Sequence, residues 1–310
     1  MSKTKIILDC DPGYDDAVAI ILAAKSEKID LLGVTTTAGN TSLENTTKNA
    51  LNIIQYLGLN IPVYKGQDRP LVKEPEPAGK VHGETGLGGM NFPKFENEKN
   101  VENKKAVDFI IESCLNNPKN ITLVTTGPLT NVALAIRLEP KIIPCVSEII
   151  SMGGAYGVGN VNSSSEFNIF YDPEAAQIVY SSGIKIKMVG LDITLKAILT
   201  QEVIERMRKI NNKASNLFCV CAENYNENRY KLFGVSKYGP LHDPITIATI
   251  INDKIVKFYE KDIQIDLSHG LSYGRTWSSN KKVKKQNAEV GLEIDVEEFW
   301  KVVENEIKKY

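Results

Sequence analysis

The chain has 310 residues, 42% of them apolar and 24% charged, with a formal net charge of −1. That is length enough for one large domain or two ordinary ones, and the composition excludes wholesale disorder. So even a balance leaves no global basic field to gather nucleic acid or an anionic membrane, and the longest apolar run, residues 17–24, is far too short to span a bilayer. The one concentrated basic stretch, Lys281-Lys282-Val283-Lys284-Lys285, reads as a solvated loop or strand edge. Five scattered cysteines have neither zinc nor thioredoxin spacing and suit reduced thiols, and the N-terminus lacks the pattern of a signal peptide. A soluble, cytoplasmic protein is the expectation.

Taken in order, short β-rich runs alternate with helical periods. A strand at residues 5–8 leads to a helix at 15–26, a strand at 31–36, a helix at 43–57 and a strand at 61–64. A Gly- and Pro-rich stretch, residues 66–100, has no clear period, and loops of that length in compact domains are usually functional. Then come a helix at 104–115, a strand at 121–125, a helix at 129–138 and a strand at 148–152. After a second irregular segment, 153–171, a helix at 173–182 and a strand at 185–189 follow. Beyond residue 200 the pattern is more helical, with strands near 263–266 and 289–294 and a closing helix from Val296. This alternation predicts an α/β fold with a mainly parallel central sheet flanked by helices. No repeat, linker or charge break divides it, so residues 1–310 read as a single domain.

In open α/β sheets, ligands bind beyond the carboxyl ends of the strands. Polar, Gly-rich loops fall at those places: Asp9–Asp16, Thr37-Ala-Gly-Asn40, Thr125-Thr126-Gly-Pro, Met152-Gly-Gly154 and the segment ending at Asp192. The first holds four aspartates, Asp9, Asp11, Asp15 and Asp16, within eight residues. Asp9 and Asp11 share a face if the strand persists that far. Helix capping explains one or two acids at a helix start. It does not explain four, because crowded carboxylates repel unless a cation holds them. Carboxylates without a nearby His or Cys select calcium or magnesium over structural zinc. His242-Asp243-Pro244 could complete the shell, although Asp-Pro alone is an ordinary helix start.

These residues resemble the inosine-uridine-preferring nucleoside hydrolases. The resemblance rests on Asp9-Cys-Asp11-Pro-Gly-Tyr-Asp15-Asp16-Ala-Val-Ala, Thr37-Ala-Gly-Asn40, His82-Gly-Glu-Thr-Gly-Leu87 and Thr126-Gly-Pro-Leu-Thr-Asn131. It continues through Met152-Gly-Gly154, Glu166-Phe-Asn168, Asp172-Pro-Glu-Ala-Ala176, Met188-Val-Gly-Leu-Asp192 and His242-Asp243-Pro244, in family order. It implies a Rossmann-like core and hydrolysis of the N-glycosidic bond of ribonucleosides (uridine, cytidine or inosine) to free base and ribose, in nucleoside salvage or catabolism. Asp11, Asp16, the Thr126 carbonyl and Asp243 would bind Ca2+, with ribose hydroxyls and a water completing its shell. Asp11 would also be the general base that activates this metal-bound water. Asp15, Asn40, Asn160, Glu166, Asn168 and Asp243 would grip the ribose, with Met152 near the sugar and Asp9 in support. A homodimer or homotetramer is implied as well.

The chemistry asks for such residues. Glycoside cleavage passes through an oxocarbenium-like sugar, and a carboxylate can deprotonate the attacking water. On the base side His242 is the general-acid candidate, His82 resembles a second family histidine, and Tyr230 in the aromatic stretch 225–230 is expected to frame the base. Both histidines suit a pyrimidine-preferring or broad enzyme. His269 reads as surface loop. Two rivals are weaker. A phosphohydrolase also opens with strand-Asp-x-Asp but needs other residues after it, and a silent nucleoside-binding protein would have lost a ligand or the base.

Overall fold

The apolar run that opens the chain forms strand β1 (Thr4–Cys10), and the central sheet extends from it in both directions. The computed structural model describes residues 3–76, 79–83, 85–95, 100–234, 236–278 and 286–310. The lysine run 281–285 and Glu84 of the Gly-rich loop lie outside the described residues.

Helix α1 (Tyr14–Lys25) leads to β2 (Ile29–Thr36), and α2 (Leu43–Tyr56) to β3 (Val63–Lys65). The short α3 (Gly79–His82) precedes α4 (Ala106–Asn116), β4 (Ile121–Thr125), α5 (Thr130–Leu138) and β5 (Val146–Met152). Next come α6 (Phe167–Tyr171), α7 (Pro173–Tyr180), β6 (Ile186–Val189), α8 (Leu191–Thr194), α9 (Gln201–Arg208) and the long α10 (Lys213–Phe233). The series ends with α11 (Pro244–Ile251), β7 (Val256–Lys261), β8 (Ile263–Ile265), β9 (Thr276–Ser278), β10 (Ala288–Ile294) and α12 (Val296–Ile307). Among the described residues no helix is long and apolar enough to cross a membrane.

Eight strands form one sheet in the order β3-β2-β1-β4-β5-β6-β10-β7. Neighbours are parallel except β10 and β7, so the expected mainly parallel α/β fold is observed. Strands covered by helices on both faces need continuous apolar runs rather than alternation. Accordingly Ile6, Ile7 and Leu8 are all fully buried. Ile6 and Leu8 join the core under α1, α10, α11 and α12, while Ile7 joins the one under α4, α5 and α7.

Some expectations shift. The strand expected at 61–64 begins at Val63, after Pro62, which has no amide to donate to a ladder. The antiparallel edge strand β7 was not expected, because its half-exposed, lysine-bearing pattern lacks a buried face. The strand expected near 263–266 forms, but it pairs with β9 in a separate two-stranded sheet. A sequence pattern identifies a strand without naming its partner. The second irregular segment also contains α6.

From β1 the chain builds outward one way through β2 and β3, and from β4 the other way through β5 and β6. The loops after β1 and β4 therefore part at the sheet's topological switch point, where a crevice opens.

Candidate active site

β1 ends at Cys10, so the expectation that Asp9 and Asp11 continue on one strand face does not hold. Asp9 Oδ1 accepts the Thr35 hydroxyl at 2.5 Å and Asn131 Nδ2 at 2.7 Å, inside the sheet. Asp11 lies past the strand end, and its Oδ2 accepts the Asn40 amide at 2.7 Å. Two glycines make room for that carboxylate. A Cβ on Gly39 would collide with Asp11 Oδ2, and one on Gly127 would come within 2.7 Å of Oδ1. The loops after β2 and β4 thus close on Asp11 from two sides.

Helix α1 brings Asp15 and Asp16 to the same place, and the start of α11 brings Asp243. One carboxylate oxygen from each of Asp15, Asp16 and Asp243 lies within 4.8 Å of the others. Asp16 does serve its helix start, since its Oδ2 accepts the Gly13 amide at 3.0 Å. The same oxygen accepts Asn40 Nδ2 at 3.2 Å, and Oδ1 accepts the Thr126 hydroxyl at 2.7 Å. Asp243 precedes Pro244 at the head of α11 but makes no side-chain capping bond there. Its carboxyl group lies beside that of Asp15 instead, with oxygens of the two within 4.8 Å of one another. The ordinary helix-start explanation of Asp243 therefore leaves its side chain unaccounted for.

All five acids, Asp9 included, are buried. Burial pushes Asp9 up to about 7, and burial with Asp15 alongside pushes Asp16 up to about 6. Burial and neighbouring carboxylates raise Asp11 and Asp243 well above the usual range, and burial raises Asp15. Asp11 Oδ1 is buried with no hydrogen-bond partner among the described residues. An orphaned carboxylate oxygen beside three clustered carboxylates is what a hard divalent cation satisfies. The donor set, all oxygen, fits calcium or magnesium.

Above the carboxylates opens a cavity of about 760 Å³. Asp15, Asn40, Thr126, Met152, Asn168 and Asp243 line its deep end. Asn168 Nδ2 donates to the Thr126 carbonyl at 2.8 Å and to the Met152 carbonyl at 3.1 Å, which joins the loops after β4 and β5. Glu166 also faces the cavity, yet its two oxygens cap α6 and accept the amides of Gly154, Asn168 and Ile169 at 2.8, 2.9 and 3.2 Å. Asn160 lines the rim, with its Oδ1 accepting the Phe167 amide at 2.9 Å. Asp11 and Asp16, both fully buried, are not among the lining residues and lie beneath them.

His82 and His242 line the same cavity. The Gly-rich loop reaches it because Asn49 Nδ2 donates to the carbonyls of Pro12 and Thr85, at 2.9 and 2.7 Å, and the Tyr14 hydroxyl donates to the Gly88 carbonyl at 2.8 Å. His82 then stacks on Tyr14, centroids 5.6 Å apart, with its Nδ1 accepting the Tyr14 amide at 3.4 Å. That leaves Nε2 as the protonated, donating nitrogen of a neutral ring. His242 Nδ1 lies 2.8 Å from the Thr194 hydroxyl. Burial lowers His82 to about 4, and burial with Arg229 nearby lowers His242 to about 3.

Tyr230, named from the sequence, is 55% exposed and is not among the lining residues. The face of α10 toward the cavity carries Tyr225, Arg229 and Phe233, at i, i+4 and i+8. Tyr230 stands one residue past Arg229, about 100° round the helix. Tyr225 and Arg229 lie within the stretch 225–230 expected to frame the base and do line the cavity, whereas Phe233, one helical turn further on, and Phe167 were not foreseen. His269 is exposed and stacks on Tyr273 at 4.6 Å, away from this site.

Residues 6–301 match the sequence model of the inosine-uridine preferring nucleoside hydrolases. The chain is 44% identical over 312 aligned residues to a pyrimidine-specific ribonucleoside hydrolase, RihB, of Escherichia coli O1:K1, with all of this chain and 99% of the relative covered. Among solved structures it is similar to a purine-preferring ribonucleoside hydrolase from Gardnerella vaginalis, with a TM-score of 0.90 and 33% identity over 98% of this chain and 99% of that one. A plant nucleoside hydrolase superposes with a TM-score of 0.91 at 30% identity over 99% of both chains.

Proposed function

The chain belongs to the inosine-uridine preferring nucleoside hydrolase family and is a ribonucleoside hydrolase, and we propose that it works with calcium and uses Asp11 as its general base. The observation that carries this reading is the unpartnered, buried Asp11 Oδ1 beside the carboxylates of Asp15, Asp16 and Asp243. Asp11, Asp16, Asp243 and the Thr126 carbonyl would hold the ion. When bound, the ion supplies charge against the carboxylates and polarises the oxygens around it.

The protein's own groups do the rest. Asp11 is fixed by Asn40 and by the two glycines, and its carboxylate would take the proton of the attacking water. Asp15, Asn40, Asn168 and Asp243 orient the ribose hydroxyls, with Met152, Asn160 and Glu166 bounding the sugar. Carboxylates and amides around the ring favour its developing positive charge. On the base side, the buried and neutral His242 and His82 offer N–H donors to the departing base, with His242 the acid candidate.

The name of the 44% identical relative favours pyrimidine ribonucleosides as substrates. The purine-preferring neighbour keeps a broad specificity in play. Cytoplasmic action as a homodimer or homotetramer belongs to the same reading, and light scattering tests the assembly. A 2′-deoxynucleoside leaves polar groups at the sugar unpaired and should be cleaved at least about 100-fold more slowly than its ribonucleoside. The decisive experiment measures free ribose from uridine, cytidine, inosine and adenosine, with and without a calcium chelator, for the wild type and Asp11→Ala. Chelation and Asp11→Ala should each abolish turnover. Undiminished ribose release under chelation would overturn the calcium assignment.

A further inference from the structure

The loop after β5 carries Asn160 to the rim of the cavity, and its course is set from outside by one carboxylate. The Tyr156 amide donates to Asp192 Oδ2 at 2.7 Å, and the Gly157 amide donates to Asp192 Oδ1 at 2.9 Å. Asp192 stands in the first turn of α8, where an acid is ordinary. Both of its oxygens are nevertheless given to successive amides of another segment. Charge-assisted bonds of this kind are about twice as strong as neutral ones, and a pair of them fixes direction as well as position. The fit is close, since a Cβ on Gly157 would stand 3.2 Å from Oδ1.

The rest of the loop closes on itself. The amides of Asn160 and Val161 donate to the Ser165 carbonyl at 3.0 and 3.1 Å, and Asn162 Oδ1 accepts the amides of Ser164 and Ser165, both at 2.8 Å. Asn160 Oδ1 accepts the Phe167 amide, which leaves Nδ2 as the donor it can offer a sugar hydroxyl. At the flanks, the Ala155 amide donates to Thr276 Oγ1 at 2.8 Å and Ser165 Oγ donates to the Tyr273 carbonyl at 2.9 Å. Between those points, among the described residues, Asp192 is the side chain from outside the loop that hydrogen-bonds to it. A compact loop tied in this way turns as a unit about its attachment.

We propose that Asp192 is a positioning residue for the reaction: it holds the 156–165 loop where Asn160 meets the sugar, and so sets ribonucleoside affinity rather than the chemical step. The inference rests on the assignment above of Asn160 to the sugar. Asp192 itself touches no substrate; it acts through the backbone of Tyr156 and Gly157. The proposed base, Asp11, is bonded to Asn40 and not to this loop, so a shift of the loop leaves it in place.

The test reads KM against kcat on uridine. Asp192→Ala should raise KM about 10-fold or more and leave kcat within about threefold. A merely structural role would show differently: Thr194, at the far end of α8, lies 2.8 Å from His242 Nδ1, so a general loosening of α8 would reach kcat. Asn160→Ala should raise KM by a similar factor, and adding Asp192→Ala to it should cost less than about threefold more, since one residue acts through the other. Inhibition by free ribose should weaken in step with KM. Asp192→Asn keeps one acceptor oxygen, so its KM should fall between, and it carries the comparison if Asp192→Ala melts early. A loss confined to kcat, or full additivity with Asn160→Ala, would overturn the proposal. So would a raised KM in Asn160→Ala beside a wild-type KM in Asp192→Ala, and that result leaves the placement of the sugar intact. A wild-type KM in Asn160→Ala would overturn that placement and this proposal with it.

Discussion

Asn40 holds Asp11 twice: its backbone amide donates to the carboxylate at 2.7 Å and its side-chain amide to the Asp11 carbonyl at 3.0 Å. The same side-chain nitrogen reaches Asp16 Oδ2 at 3.2 Å. The family resemblance implies a sugar-binding role for Asn40, yet its amide group is committed to aligning two carboxylates. Asn40→Ala should therefore weaken ion binding as well as substrate binding. Each buried hydrogen bond lost is worth about 1–3 kcal/mol, so kcat/KM should drop roughly 100-fold, with part of the loss recovered at high calcium. A calcium titration of activity checks this, and a defect confined to KM at every calcium concentration would contradict it.

Gly39 has an ordinary backbone conformation, so the case for glycine there is purely the room it leaves. A Cβ would overlap Asp11 Oδ2, which must move or be expelled. Gly39→Ala should cost about 1–3 kcal/mol of stability through this overpacking. Its activity should fall further than that cost implies, by at least about 100-fold, because the displaced group is the proposed proton acceptor. Melting temperature and turnover measured on one preparation separate the two effects. A variant destabilised as expected but fully active would refute the central role of Asp11.

Asp9 and Asp11 look equivalent in the sequence, and the structure separates them. Asp9 Oδ1 is occupied by Thr35 and Asn131 within the sheet, and burial already favours its protonated form. Asp9→Asn keeps an acceptor oxygen and adds no charge, so it should retain activity within about tenfold. Asp11→Asn leaves the Asn40 contact a partner but removes the proposed base, and should lose at least about a thousandfold. Similar losses in both variants would show that Asp9 takes part in the reaction directly.

Much of this was legible because electrostatics is local in sequence. Four acids between Asp9 and Asp16 could be recognised as a problem requiring a cation from the spacing alone. Asp243 carried a weaker signal: it could be offered as completing the shell, but an Asp before Pro is a common helix start, and only folding brings it against Asp15 and Asp16. The wall of α10 was read by residue type, which favoured Tyr230. Helix rotation decided otherwise and turned Arg229 and Phe233 inward. The parallel sheet followed from alternating strand and helix periods, whereas the edge strand β7 did not, because an exposed edge needs little apolar pattern to be stable.

Crowding of buried acids also makes the ion-free protein sensitive to pH in a definite direction. An unfolded aspartate releases its proton near 3.9, while in the fold Asp16 retains it to about 6 and Asp9 to about 7, with Asp11, Asp15 and Asp243 raised as well. Between those limits the folded chain binds more protons than the unfolded one, so stability must fall as pH rises. Below about pH 4 both states are protonated and this contribution is fully present; above about pH 7 it is lost. A divalent ion replaces the protons as the neutralising charge, and at 100 times its dissociation constant adds about 2.7 kcal/mol. For a chain of this size that corresponds to a melting temperature higher by roughly 4 °C. Thermal melts at pH 5 and pH 8, in chelator and in calcium, should show the chelated protein losing stability toward pH 8 and the calcium gap widening with it. A gap of equal size at both values would mean that the ion binds away from these aspartates.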